Sequence, residues 1–126
     1  MRSFNITGAK VTTVDSTLTT ILTYNIPNNT GICARLMVSA RNTATNRTAN
    51  CILVFGAQNL AGVAATVGTP QDGTTGLLNL ASGSDSLVNV TVHAPAVSGG
   101  QILIQVNGIG ATNIQWQASM EILGAD

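Results

Sequence analysis

Charge is the scarcest commodity in this chain. Lys10, Arg2, Arg35, Arg41 and Arg47 balance Asp15, Asp72, Asp85, Glu121 and Asp126, so only 8% of the residues are charged, against roughly a quarter in ordinary soluble domains. At net charge zero no basic field exists to hold a phosphate backbone, so nucleic acid is not an expected partner. Aromatics are rare too. Phe4, Tyr24, Phe55 and Trp116 are all there are, which counts against a sugar-binding platform. Long apolar runs are missing: Ile52 to Gly56 falls far short of the ~20 residues that span a bilayer. The opening MRSFNITGAKV carries no apolar signal core. The expectation is synthesis in a cytoplasm and no membrane partner.

Residues able to do chemistry are few. His93 is the only histidine, and no Gly-x-Ser-x-Gly elbow accompanies it. On its strand it lies opposite Val88, Val90 and Val92, so it reads as a surface or interface imidazole. Two cysteines and one histidine are too few for a metal site. Asp72 and Asp85 sit in Gly-rich turns without the Asp-x-Asp spacing of a calcium loop. Asp15 and Glu121 belong to no glycosidase motif. Asn-x-Thr triplets at Asn5, Asn28, Asn46 and Asn89 follow from so much Asn and Thr. The expectation is no enzyme, no catalytic residue, no cofactor, no metal and no small-molecule substrate.

What is present is strand-forming sequence. Ile32 to Ala57 reads as two long strands around the turn Asn42-Thr43-Ala44-Thr45-Asn46, residues that bond their own backbone and tolerate the left-handed region. Ile32, Ala34, Leu36, Val38 and Ala40 share one face; Cys33, Arg35, Met37, Ser39 and Arg41 share the other. The return strand is apolar on both faces, with Ile52 and Val54 on one and Cys51, Leu53 and Phe55 on the other. A strand of that kind is covered on both sides, which hints at an oligomer. A turn centred near Ala44 places Cys33 opposite Phe55 or Gly56, and Cys51 opposite Met37 or Val38. The sulfurs are then out of disulfide reach, and two free buried thiols are expected.

The remaining chain divides at its turn residues. Residues 1–8 are expected to be a loose lead-in, and Ala9 to Val14 a short edge strand. Asp15-Ser16-Thr17 reads as a turn. Leu18 to Ile26 alternates as a strand with Leu18, Leu22, Tyr24 and Ile26 together, and Pro27 to Gly31 ends it. Leu60 to Gly68 is read as a strand, Pro70 to Gly76 as a loop, Leu77 to Ala81 as a short apolar segment and Ser82 to Asp85 as a turn. Leu87 to Ala94 is a strand and Pro95 to Gly100 a loop. Gln101 to Val106 and Ile114 to Ile122 form a hairpin across Asn107-Gly108, with Trp116 in the core. Short strands at regular spacing, with no amphipathic helix, predict an all-β, antiparallel β-sandwich or jelly-roll-like single domain over 9–126.

Two ordered motifs carry a resemblance. One is Val11-Thr12-Thr13-Val14-Asp15-Ser16-Thr17-Leu18-Thr19-Thr20-Ile21, followed by Tyr24-Asn25-Ile26-Pro27, Gly31, Ala34-Arg35 and Ala40-Arg41. The other is Val106-Asn107-Gly108 followed by Thr112-Asn113-Ile114-Gln115-Trp116-Gln117-Ala118. Together they resemble a small β-domain of tailed-bacteriophage virion proteins; Gln58 to Ser84 is unmatched. The resemblance implies virion structure. A chain that is the domain alone, starting at its own Met1, suits a capsid decoration (cement) protein on the capsid surface. Its partners would be the major capsid protein and further copies of itself, as a homo-oligomer, expected to be a trimer. A tail-fibre or other tail-associated receptor-binding protein is the alternative, and a lectin-like sugar binder or small hydrolase a third reading. The scarcity of charge lowers the cost of stripping water from an interface. Arg35, Met37, Arg41 and Arg47 are the expected interface residues, the guanidinium groups gripping carboxylates of a neighbour.

Overall fold

The computed structural model describes residues 2–72 and 90–124. Its strands are β1 (Arg2–Thr7), β2 (Val11–Thr13), β3 (Leu18–Asn25), β4 (Thr30–Asn42), β5 (Thr48–Leu60), β6 (Val63–Asp72), β7 (Thr91–Val92), β8 (Ala96–Ser98), β9 (Gln101–Asn107) and β10 (Ile114–Gly124). All pairings among them are antiparallel. No helix among the described residues is long and apolar enough to cross a membrane.

The β4–β5 hairpin organises the larger sheet. Its register pairs Cys33 with Gly56 and Val38 with Cys51, so the thiols are far out of register, as the turn position implies. Asn42 builds the turn: its Oδ1 accepts from the Ala44 amide at 3.0 Å, and its carbonyl accepts from the Asn46 amide at 2.8 Å. Asn46 takes φ 59°, which Asn tolerates better than most residues. Only one half of the thiol expectation stands, because Cys51 is buried and Cys33 is exposed.

Around this hairpin the larger sheet runs β1-β10-β4-β5-β6, with β2 also pairing β10; the smaller sheet runs β3-β9-β7, with β8 also on β9. The two sheets close on one apolar core, which makes the domain sandwich-like. Alternation supplies it: Ile114, Trp116, Ala118, Met120 and Ile122 of β10 are all fully buried, and so are Ile102, Ile104 and Val106 of β9. Fully burying one such side chain is worth about 1.5–3 kcal/mol. Trp116 is core as expected, and its indole Nε1–H donates to Thr13 Oγ1 at 2.9 Å, which satisfies its one polar group.

Several sequence expectations give way to tertiary pairing. Residues 2–7 are an edge strand, not a lead-in: Ser3 to Thr7 pair residue by residue with Leu123 to Ser119, and Phe4 meets Tyr24 of the other sheet at 6.0 Å between ring centroids. In β3 a register shift between Thr20 and Leu22 puts both Ile21 and Leu22 inward and leaves Leu18 half exposed, as an extra bulge residue does. Leu60 to Gly68 is not one strand. It turns at Ala61 (φ 55°) and Gly62 (φ 86°), both positive as a two-residue type I′ hairpin requires. Thr69 to Asp72 belong to β6, which among the described residues pairs only with β5, so Pro70 is admissible there as on an edge. The segment Pro95 to Gly100 contains β8, which returns into β9 through Gly99-Gly100. Val90 and Val92 are buried as expected, while the readings at 73–89 lie outside the described residues.

The largest correction concerns Asn107-Gly108. It does not close a hairpin: β9 pairs with β3 in one sheet and β10 with β1, β2 and β4 in the other. The segment crosses between sheets. Gly108 is there for close approach, because a Cβ on it would lie 2.4 Å from Thr13 Oγ1 and 2.8 Å from the Asp15 carbonyl oxygen.

Candidate interaction surface

The larger sheet has two faces, and only one meets the core. The register defines the other as rows. Thr7, Ser119, Met37 and Ile52 form one row; Asn5, Glu121, Arg35 and Val54 the next; Ser3, Leu123, Cys33, Gly56 and Val67 the third. Among the described residues nothing lies over these rows. Met37 is 41% exposed, Leu123 45% and Val67 53%. The second cover that the return strand's apolar character calls for is therefore not supplied by any described element. A groove of about 460 Å³ runs over the Met37–Ile52 row, flanked by Asn50, Gln117 and Ser119.

Towards the hairpin turn the same face becomes polar. Ser39 pairs with Asn50 and Gln117, and Arg41 with Thr48 and Gln115. Arg41 spends its guanidinium inside the chain, donating to Asn46 Oδ1 at 2.7 Å and Gln115 Oε1 at 3.2 Å. Of the four expected interface residues, Arg35, Met37 and Arg41 share this face. Arg35 and Met37 stand exposed at its centre, Arg41 is half-buried, and Arg47 is exposed beside the turn. Arg35 lies directly opposite Glu121 in the ladder, a cross-strand pair of opposite sign.

Sequence reasoning missed Val67 and Leu123. Ile52 and Val54 were visible in the two-sided apolarity of their strand. Val67 and Leu123 come into line with them only through strand pairing, and nothing local marks it.

The residues able to do chemistry are used structurally. His93 is half-buried; its Nε2–H donates to Asn107 Oδ1, and Asn107 Nδ2–H donates to the Ser16 carbonyl at 2.8 Å. This chain of bonds ties β9 to the β2–β3 loop. Asp15 Oδ1 accepts from the Thr17 amide at 2.9 Å. That backbone bond, followed by a bond from the Thr17 side chain, holds the Asp15 carboxyl below its ordinary range. No group of three or more His, Cys, Asp or Glu side chains among the described residues is placed to hold a metal ion.

No protein-family model matches the chain, and no curated protein matches it in sequence. Among solved structures it is similar to the tailspike protein of Acinetobacter baumannii phage AM24, with a TM-score of 0.52 at 12% identity over 98% of this chain. The chain spans only 27% of that tailspike's length. Tailspike protein gp49 of A. baumannii bacteriophage Fri1, a capsular polysaccharide depolymerase, overlaps at TM-score 0.44 and 12% identity, over 94% of this chain and 17% of its own. The tailspike of Acinetobacter phage vB_ApiP_P1 overlaps at 0.36 and 13%, over 98% and 21%. The last two overlaps are too loose to bear on the fold. The AM24 likeness is one of architecture: this β-sandwich is a shape also found within a phage tailspike.

Proposed function

We propose that the chain is a non-catalytic structural domain of a tailed-phage virion, associated with the tail, and that it acts through contacts between subunits. The observation that carries this reading is the fold likeness to the AM24 tailspike across 98% of the chain. The ordered Thr-rich and Ile-x-Trp-x-Ala motifs point to the same class of virion protein. Capsid cement came first from the sequence because a small domain standing alone suits lattice decoration. The neighbour carries this fold as 27% of a longer chain, so small size no longer favours the shell, and the tail reading moves ahead.

The partners in this reading are further copies of the chain and an adjoining virion protein. Depolymerase activity belongs to gp49 and is not carried over. The purified chain is expected to leave capsular polysaccharide uncut, as measured by the polymer's size distribution. Labelling whole particles with an antibody to this chain, followed by electron microscopy, tests the location. Label at the tail is the expected result. Label spread over the shell would restore capsid cement, and unlabelled particles would remove the virion reading altogether.

A further inference from the structure

The outer face of the larger sheet carries a pattern that is its own complement. Take the line between β4 and β5, and exchange residues across it. Met37 exchanges with Ile52 and Cys33 with Gly56, both directly paired in the ladder. One strand further out, Leu123 on β10 exchanges with Val67 on β6, because Leu123, Cys33, Gly56 and Val67 form one row. Nearer the turn Ser39 exchanges with Asn50, and Arg41 with Thr48. Apolar changes places with apolar, and polar with polar. The exception among these central pairs is Arg35 against Val54, where an arginine stem can lie over a valine and its charged head turn to Glu121, its neighbour across the ladder.

A two-fold axis lying in the plane of an interface performs that exchange. When two sheets stack face to face about an axis parallel to the strands, residue i of one copy lies over residue j of the other, and j over i. We propose that two copies of this chain pack through this face, with the axis along the β4–β5 line and Met37 of each copy seated over Ile52 of the other. This deepens the subunit-contact part of the proposed function and rests on it. The contact is two-fold, so any three-fold assembly would use a different surface.

Three observations favour a second copy over an unlike partner. The match is between the face and itself. The central apolar rows include no charge other than Arg35 and Glu121, one of each sign, and Arg41, at the turn end of the same face, is engaged by Asn46 and Gln115 of its own chain. The area is sufficient: β10, β4, β5 and β6 have 11, 13, 13 and 10 residues. At about 3.3 Å per residue and about 4.8 Å between strands, they present about 700 Å² per copy. Two copies would then bury about 1,400 Å², within the ~1,200–2,000 Å² of specific interfaces. The groove along the Met37–Ile52 row gives the partner's side chains room to enter.

The test uses two surface variants and their mixture. Wild type is expected to sediment as a dimer at about 10 µM, since interfaces of this size reach micromolar affinity or better. Met37→Glu and Ile52→Lys should each be monomeric, with unchanged far-ultraviolet circular dichroism, because each puts two unpaired charges into the contact. Mixed one to one they should dimerise again: Met37→Glu of one copy then faces Ile52→Lys of the other, while the second Met37–Ile52 contact is restored. Monomeric wild type at about 100 µM would overturn the proposal. So would wild-type dimers that neither variant disturbs, although subunit contact through another surface would survive that result. Variants that dissociate without recovering on mixing would overturn the two-fold pairing. None of these outcomes bears on where antibody labels the particle, so this proposal and the tail location fail separately.

Discussion

Replacing Gly108 by alanine is expected to loosen the fastening of the core's only tryptophan. The new Cβ would sit 2.4 Å from Thr13 Oγ1 and 2.8 Å from the Asp15 carbonyl oxygen. The threonine could rotate away, but the carbonyl is backbone, so the β2–β3 loop must shift with it. Thr13 Oγ1 is also the acceptor for Trp116 Nε1–H, at 2.9 Å in a fully buried position. Overpacking of this kind costs about 1–3 kcal/mol. An indole left without its acceptor adds about 1–2 kcal/mol. The expected loss is therefore about 2–5 kcal/mol, or roughly 6–20 °C in Tm at ~3–4 °C per kcal/mol for a domain of this size. Urea unfolding followed by fluorescence reads it directly, because Trp116 is the sole tryptophan. Thr13→Ala alone should cost about 1–2 kcal/mol, and less in the Gly108→Ala background, where the bond is already disturbed. Gly110→Ala is the control: nothing lies within 4 Å of its Cβ position, so it should fall within about 0.5 kcal/mol of wild type. A Gly108→Ala protein as stable as that control would refute the close-approach account of the Asn107-Gly108 segment.

Ala61 holds φ 55° in a two-residue turn, so Ala61→Gly should stabilise by about 0.5–1 kcal/mol, net of glycine's greater freedom when unfolded. Thermal denaturation is the measurement. In dilute monomer Cys33 should react quickly with a thiol reagent and Cys51 only after unfolding, so one fast thiol and one slow thiol are expected in a timed titration. Asp15 should titrate below the ordinary aspartate value of about 3.9, owing to its bonds from Thr17. The unfolded chain then binds that proton more readily. The contribution is present above the ordinary value and disappears as pH falls through the lower folded one. Carboxyl chemical shifts followed from neutral to strongly acid pH would check it.

Ile32 to Ala57 could be read as a hairpin, down to the register of its cysteines, because a turn rich in Asn and Thr and two strict alternations are local properties. The inward sets of β9 and β10 were legible for the same reason. Four other features were not local. Ser3 to Thr7 alternate polar and apolar residues, but so short a run at a chain end has no assured partner until β10 offers an unpaired edge. The bulge at Ile21 reverses a face without changing composition. Asn-Gly serves turns and crossovers alike, and the packing of Thr13 and Asp15 decides which. Arg41 looks available for a neighbour until Gln115, from a distant strand, takes its guanidinium.

Composition and alternation alone establish that the chain folds as β, which residues of β4, β5, β9 and β10 turn inward, and that few charges or reactive groups are available for catalysis. These follow from side-chain period and composition, which need no knowledge of neighbours. Pairing between distant segments sets which strands share a sheet, that β9 and β10 part company, and that Met37, Ile52, Leu123 and Val67 gather on one face that no other described element covers. Strand order is set by contacts between segments far apart in the chain, and such contacts leave no periodic trace in the segments themselves.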